Sequence, residues 1–187
     1  MSTDKEVELK AKMAKGLEFK EAGGVEFKAG NFEKALRQYH YALLHLRGLN
    51  DNPMAVAKSR DPENLKESDI TELEKELSTI NSNMALCQLR LGRLNQITRC
   101  ANAALKANPF NKKAKFRLVQ GLVREGAIIK ATKLLEELEK DSPNGKSAPK
   151  CYDPAFAAER RQIEKKEKQS DDKQRKEFGG MFDRTKN

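Results

Sequence analysis

The 187-residue sequence has no tryptophan, only two histidines, and three cysteines, an odd number with no metal-ligand spacing. Cys87 and Cys100 fall inside apolar helical patterns, where a free thiol behaves as a small hydrophobe. A reduced, intracellular environment is expected. No apolar run approaches the roughly 18 residues that a membrane span needs. The lead "MSTDKEVELK" has charges where a signal peptide needs an apolar stretch, and with Met1 it reads as a native start. These absences point to the cytoplasm and leave the nucleus open. His40 and His45 share the segment "YHYALLHL", with no nucleophile, acid–base pair or glycine-rich phosphate loop to join them. An enzyme is therefore not expected, nor a cofactor or metal. Aromatics are 6% of the chain and are not interleaved with basic residues as a base-stacking platform needs.

What is abundant is charge. Hydrophobic residues are 37% and charged residues 35%, a balance that suits thin layers of amphipathic helix. The formal net charge is +9, which favours acidic partners without choosing among them.

Three segments share one cadence. "AGNFEKALRQYHYAL" opens on Gly30, with Ala35, Tyr39, Ala42 and Leu43 following. "LGRLNQITRCANAAL" opens on Gly92 and carries Ile97, Ala101, Ala104 and Leu105 at the same offsets. "EGAIIKATKLLEELE" opens on Gly126, with Ala131, Leu135 and Leu138 again in place. Gly92 to Gly126 is 34 residues, as is Pro109 to Pro143; Gly30 to Gly92 is 62, one period plus an insertion of 28. Each unit reads as helix, glycine turn, helix, with apolar residues at helical spacing. The insertion, about residues 48–78, divides into a loop, "GLNDNPMAVAKSRDPEN", and a helix, "LKESDITELEKELSTI", with Ser68 or Asp69 as its N-cap. Residues 1–150 are expected to form the repeats. Residues 151–187 are expected to form a charged helix whose Phe156 and Ile163 cap the last repeat before it runs into solvent. Its end, "EFGGMF", carries an apolar tip of Phe178, Met181 and Phe182.

The stretch "NKKAKFRLVQGL" sets Lys113 and Arg117 one helical turn apart with no acid between them. Like charges at that spacing weaken a helix by roughly 0.2–0.5 kcal/mol. Either both sit in water, or an anion lies across them.

The 34-residue cadence with its glycine, alanine and proline positions resembles the tetratricopeptide repeat over about residues 16–143. The fold this implies is all-α, an α–α superhelix of three repeats with one insertion and a C-terminal capping helix. In that family the first helices of the repeats line a groove that holds extended peptides. One subgroup grips the acidic C-terminus of cytosolic heat-shock chaperones with a carboxylate clamp. By its pattern Lys20, Asn83, Lys113 and Arg117 match four of five clamp positions. Gly24 stands where the family has asparagine. Lys28, Arg90 and Arg124 would flank the groove, and Phe116 would hold an aliphatic ligand side chain. The segments "GNFEKALRQYHYALLHLRGLN", "SNMALCQLRLGRLNQITRCANAALKANPFNKKAKFR" and "EFGGMF" are similar to the tetratricopeptide repeat protein nine family. That family's neighbours are the repeat domains of immunophilins and of the aryl-hydrocarbon-receptor-interacting co-chaperone.

The resemblance implies a monomeric, non-enzymatic adaptor binding the acidic C-terminal peptide of a seventy- or ninety-kilodalton heat-shock chaperone, with a second protein partner unidentified. The alternatives are a scaffold for another protein with an idle clamp, and, resting on charge alone, a nucleic-acid-binding protein.

Overall fold

A computed structural model describes residues 2–47, 49, 65–140 and 153–183 and, within these, the side chains of 7–47, 49, 65–138 and 157–177. The described residues form helices α1 (Ser2–Lys28), α2 (Phe32–Arg47), a 3-10 turn (Glu67–Asp69), α3 (Glu72–Arg90), α4 (Leu94–Ala107), α5 (Lys112–Glu125), α6 (Ile128–Lys140) and α7 (Asp153–Asp183). No strand occurs among them. The chain comprises two compact units, Met1–Arg117 and Leu118–Asn187. The expected boundary at residue 150 and the loop part of the insertion lie outside the described residues.

The sequence cadence becomes one turn built three times. Gly30, Gly92 and Gly126 have φ of 80°, 69° and 85°, a region open to glycine at no steric cost. The next backbone N–H then reaches back five residues: Asn31 donates to Glu26 O at 2.9 Å, Arg93 to Gln88 O at 3.0 Å, and Ala127 to Leu122 O at 2.9 Å. This is the Schellman bond, which satisfies carbonyls left over at a helix end.

Three of the shared offsets from each glycine are buried in every copy. Ala35, Ile97 and Ala131 are all 0% exposed; so are Ala42 and Ala104, at a shared later offset where the third copy has Leu138, 4% exposed. Tyr39, Ala101 and Leu135 share the next position and are likewise buried.

In the first unit α1 packs on α2, α2 on α3, and α3 on α4. The α1–α2 contact is close because Gly23 has no side chain: a Cβ there would come within 2.6 Å of the Tyr39 ring. His45 stacks on Phe19 with ring centroids 5.3 Å apart, a packing role, while His40 is exposed. Helix α3 starts later than the sequence reading placed it. The cap is Thr71, not Ser68 or Asp69, which lie in the preceding 3-10 turn. Thr71 Oγ1 accepts from Glu74 N–H at 3.3 Å, and Thr71 N–H donates to Glu74 Oε2 at 2.8 Å, a capping box that satisfies two otherwise unpaired amides.

In the second unit α6 packs on α7. Ile163 is 5% exposed and lines a small cavity with Thr132 and Leu135, consistent with the expected capping role. From Glu164 to Glu177 the side chains of α7 are exposed apart from Lys166, whose Nζ donates to the Val123 carbonyl. The side chains of Phe156, Phe178, Met181 and Phe182 lie outside the described set.

Candidate functional site

The two stacked cations belong to the start of α5, and the residue before that helix fixes them. Asn111 Oδ1 accepts from Ala114 N–H at 3.0 Å, capping the helix. Its Nδ2 donates to Ser78 Oγ of α3 at 2.8 Å, and Ser78 is 0% exposed. The first turn of α5 is thus pinned to α3. Lys113 is exposed, and Arg117 is half-buried with its guanidinium carbon 5.6 Å from the centroid of the Phe116 ring. Phe116 is 2% exposed. It is a core residue, so the ligand contact expected of it does not fit its burial.

Lys20 of α1 is already paired. Its Nζ donates to Glu76 Oε2 of α3 at 2.6 Å, with the two side chains 27% and 18% exposed. This contact joins α1 to α3 as Asn111–Ser78 joins α3 to α5. The first helices of the three pairs are therefore linked in series within the unit Met1–Arg117. Gly24, one turn beyond Lys20, faces open space: a Cβ built there meets nothing within 4 Å.

Asn83 lies seven residues after Glu76 on α3, two turns along the same face. It is half-buried and hydrogen-bonds the Tyr39 side chain. Burial, and then the neighbouring Cys87, push the Tyr39 hydroxyl up to about 12 against the opposing effect of Asn83. Cys87 and Cys100 are free and buried; burial pushes the Cys87 thiol up to about 12 and raises Cys100 as well. Neither is a reactive thiolate at neutral pH.

The flanking residues divide. Lys28 and Arg90 are exposed at the ends of α1 and α3. Arg124, in the second unit, is engaged: its Nη1 donates to Gln120 O at 2.8 Å and to Glu159 Oε1 at 3.3 Å. Glu159 is 3% exposed, so this cation is committed to α7. Sequence reasoning missed Glu76 and Glu159. Glu76 could have been found from its two-turn spacing to Asn83; nothing local marks Glu159 as the partner of Arg124.

Chemically, this set offers cations and one amide suited to carboxylate oxygens. Among the described residues no cluster of three His, Cys, Asp or Glu is placed to hold a metal ion, and no helix is long and apolar enough to cross a membrane.

No family model matches the chain. It is similar to the C-terminal TPR-containing domain of a Plasmodium falciparum FK506-binding protein, at TM-score 0.62 and 17% identity, over 89% of this chain and 95% of that one. It is also similar to the TPR2AB domain of yeast Sti1, solved as a pHSP90 complex, over 82% of this chain and 71% of that one. There the TM-score of 0.39 and identity of 15% are too low to bear on the argument. The thrice-built glycine turn and the first likeness together give the fold: helical repeats of the tetratricopeptide type.

Proposed function

We propose that this chain is a non-enzymatic interaction adaptor, a cytoplasmic co-chaperone that receives the free acidic C-terminal peptide of a seventy- or ninety-kilodalton heat-shock chaperone. The observation that carries the reading is that Lys20, Asn83, Lys113 and Arg117 all lie on the first helices of the repeats, and those helices are linked through Lys20–Glu76 and Asn111–Ser78. Arg117 can give a carboxylate two parallel hydrogen bonds, Lys20 and Lys113 act as point charges, and Asn83 adds a neutral donor.

The pair Lys20–Glu76 favours a second reading, a scaffold for a different protein whose clamp is weakened. A ligand carboxylate reaching Lys20 must displace Glu76, forgoing part of a charge-assisted bond of about 1.5–3 kcal/mol. The open space at Gly24 removes a further donor.

Calorimetric titration separates the readings. A peptide ending Met-Glu-Glu-Val-Asp is titrated beside its C-terminally amidated form. The clamp reading requires binding of the free acid that disappears on amidation. Equal binding of both forms, or of neither, supports the scaffold.

A further inference from the structure

A cavity of about 640 Å³ opens between α2, α3 and α4 in the first unit. None of Lys20, Asn83, Lys113 or Arg117 lines it. Arg47 of α2 and Arg99 of α4 do, both exposed, with the 72% exposed Leu44 as apolar surface. Among the described residues that line the cavity, none is a carboxylate. Arg93 in the same unit, by contrast, has Glu33 at 2.6 Å.

Gln88 supplies an independent observation. It lines the same cavity, is 7% exposed, and its Oε1 has no hydrogen-bond partner. A buried acceptor left without a donor is uncommon in folded proteins. Glu159 Oε2 is also unpartnered, but its carboxylate already accepts from Gln120 and Arg124 through Oε1. Gln88 Oε1 therefore marks a place where a donor is missing.

We infer that this cavity is a second binding site that takes an acidic peptide segment of a partner protein. Side-chain carboxylates of the segment meet Arg47 and Arg99. An apolar side chain covers Leu44, and a backbone N–H supplies the donor that Gln88 Oε1 lacks. A nucleic-acid backbone fits less well. It offers phosphate oxygens without an apolar side chain, and among the described lining residues His40 is the one aromatic ring for a base to stack on, with no Phe, Tyr or Trp beside it. The inference stands apart from the clamp reading, because it uses other residues and needs no free C-terminus.

The test is fluorescence anisotropy with the full chain and a fluorescein-labelled Asp-Leu-Glu-Glu-Leu peptide whose C-terminus is amidated, so that it offers the clamp no terminal carboxylate. Saturable binding is expected, weakened at least about tenfold in the Arg47→Ala, Arg99→Ala double variant, where charge-assisted bonds are lost. Both side chains are exposed, so circular dichroism should show the fold unchanged. Gln88→Met, which keeps the volume and removes the acceptor, should also weaken binding. Arg117→Ala should leave it alone. Absence of saturable binding would overturn the inference. So would binding that is lost in Arg117→Ala but kept in the double arginine variant, or displacement of the peptide by a shorter stretch of polyuridine at lower concentration.

Discussion

Lys20 Nζ lies 2.6 Å from Glu76 Oε2, so one of the four cation or amide positions matched to a carboxylate clamp already holds a carboxylate of its own chain. Both side chains are less than one third exposed, so solvent screens the pair only in part. A ligand competes with this contact. Glu76→Gln keeps the shape and removes the charge. It is expected to tighten binding of the free-acid peptide by about 1 kcal/mol, roughly fivefold, in calorimetry. The melting temperature should fall only slightly, and unchanged affinity would show that the ligand does not reach Lys20.

Gly23 and Gly24 are neighbours with opposite surroundings. A methyl at residue 23 would meet the Tyr39 ring at 2.6 Å, whereas one at residue 24 would meet nothing within 4 Å. Gly23→Ala is expected to destabilise by about 1–3 kcal/mol through overpacking. Gly24→Ala is expected to stabilise by about 0.5–1 kcal/mol, because a helical glycine loses more backbone freedom on folding. Thermal melts of the two variants check the signs, and a common sign would contradict the α1–α2 packing described.

Asn111 performs two tasks without touching any ligand. Asn111→Ala removes the α5 cap, costing about 1 kcal/mol, and leaves the buried Ser78 hydroxyl without that partner, costing about 1–3 kcal/mol more. Loss of stability should be accompanied by weaker free-acid peptide binding, since Lys113 and Arg117 depend on the turn it anchors. Replacing Ser78 by Ala as well should recover part of the stability, a coupling that a double-mutant cycle measures.

The buried hydroxyl and thiol set an alkaline limit. Tyr39 is held at about 12 against a usual 10.0, and Cys87 at about 12 against 9.0. Above the unfolded values the unfolded chain has lost these protons while the folded chain keeps them, so their contribution is full below pH 9 and declines toward pH 12. The limiting slope is about 1.4 kcal/mol per pH unit for each group, setting in above pH 9.0 for Cys87 and above pH 10.0 for Tyr39. The fall in melting temperature between pH 9 and 11 should be shallower in Cys87→Ala than in the parent chain.

Much of the fold was legible because the repeat is written in residues with few conformational substitutes. Glycine at a positive φ and alanine at a helix contact leave a period that survives in the sequence, and Gly30, Gly92 and Gly126 turn the chain as their spacing implies. The start of α3 was not legible from Ser68 or Asp69. Ser and Asp cap helices as readily as Thr does, and the reciprocal bonds of Thr71 and Glu74 set the start two residues beyond Asp69. The site was legible in part. Lys113 and Arg117 share a helix face by spacing alone, but the pairing of Lys20 with Glu76 and of Arg124 with Glu159 crosses 56 and 35 residues. Long-range pairing leaves no periodic trace. Phe116 illustrates the same limit: its place beside two cations suggested surface, while its helical phase put it in the core.

The most direct measurement is the calorimetric affinity of the free-acid Met-Glu-Glu-Val-Asp peptide for the parent chain and for Arg117→Ala, each beside the amidated peptide. Micromolar binding by the parent chain, lost on amidation and weakened at least about tenfold in Arg117→Ala, is the expected result. Binding indifferent to both the terminal carboxylate and Arg117 would contradict the clamp.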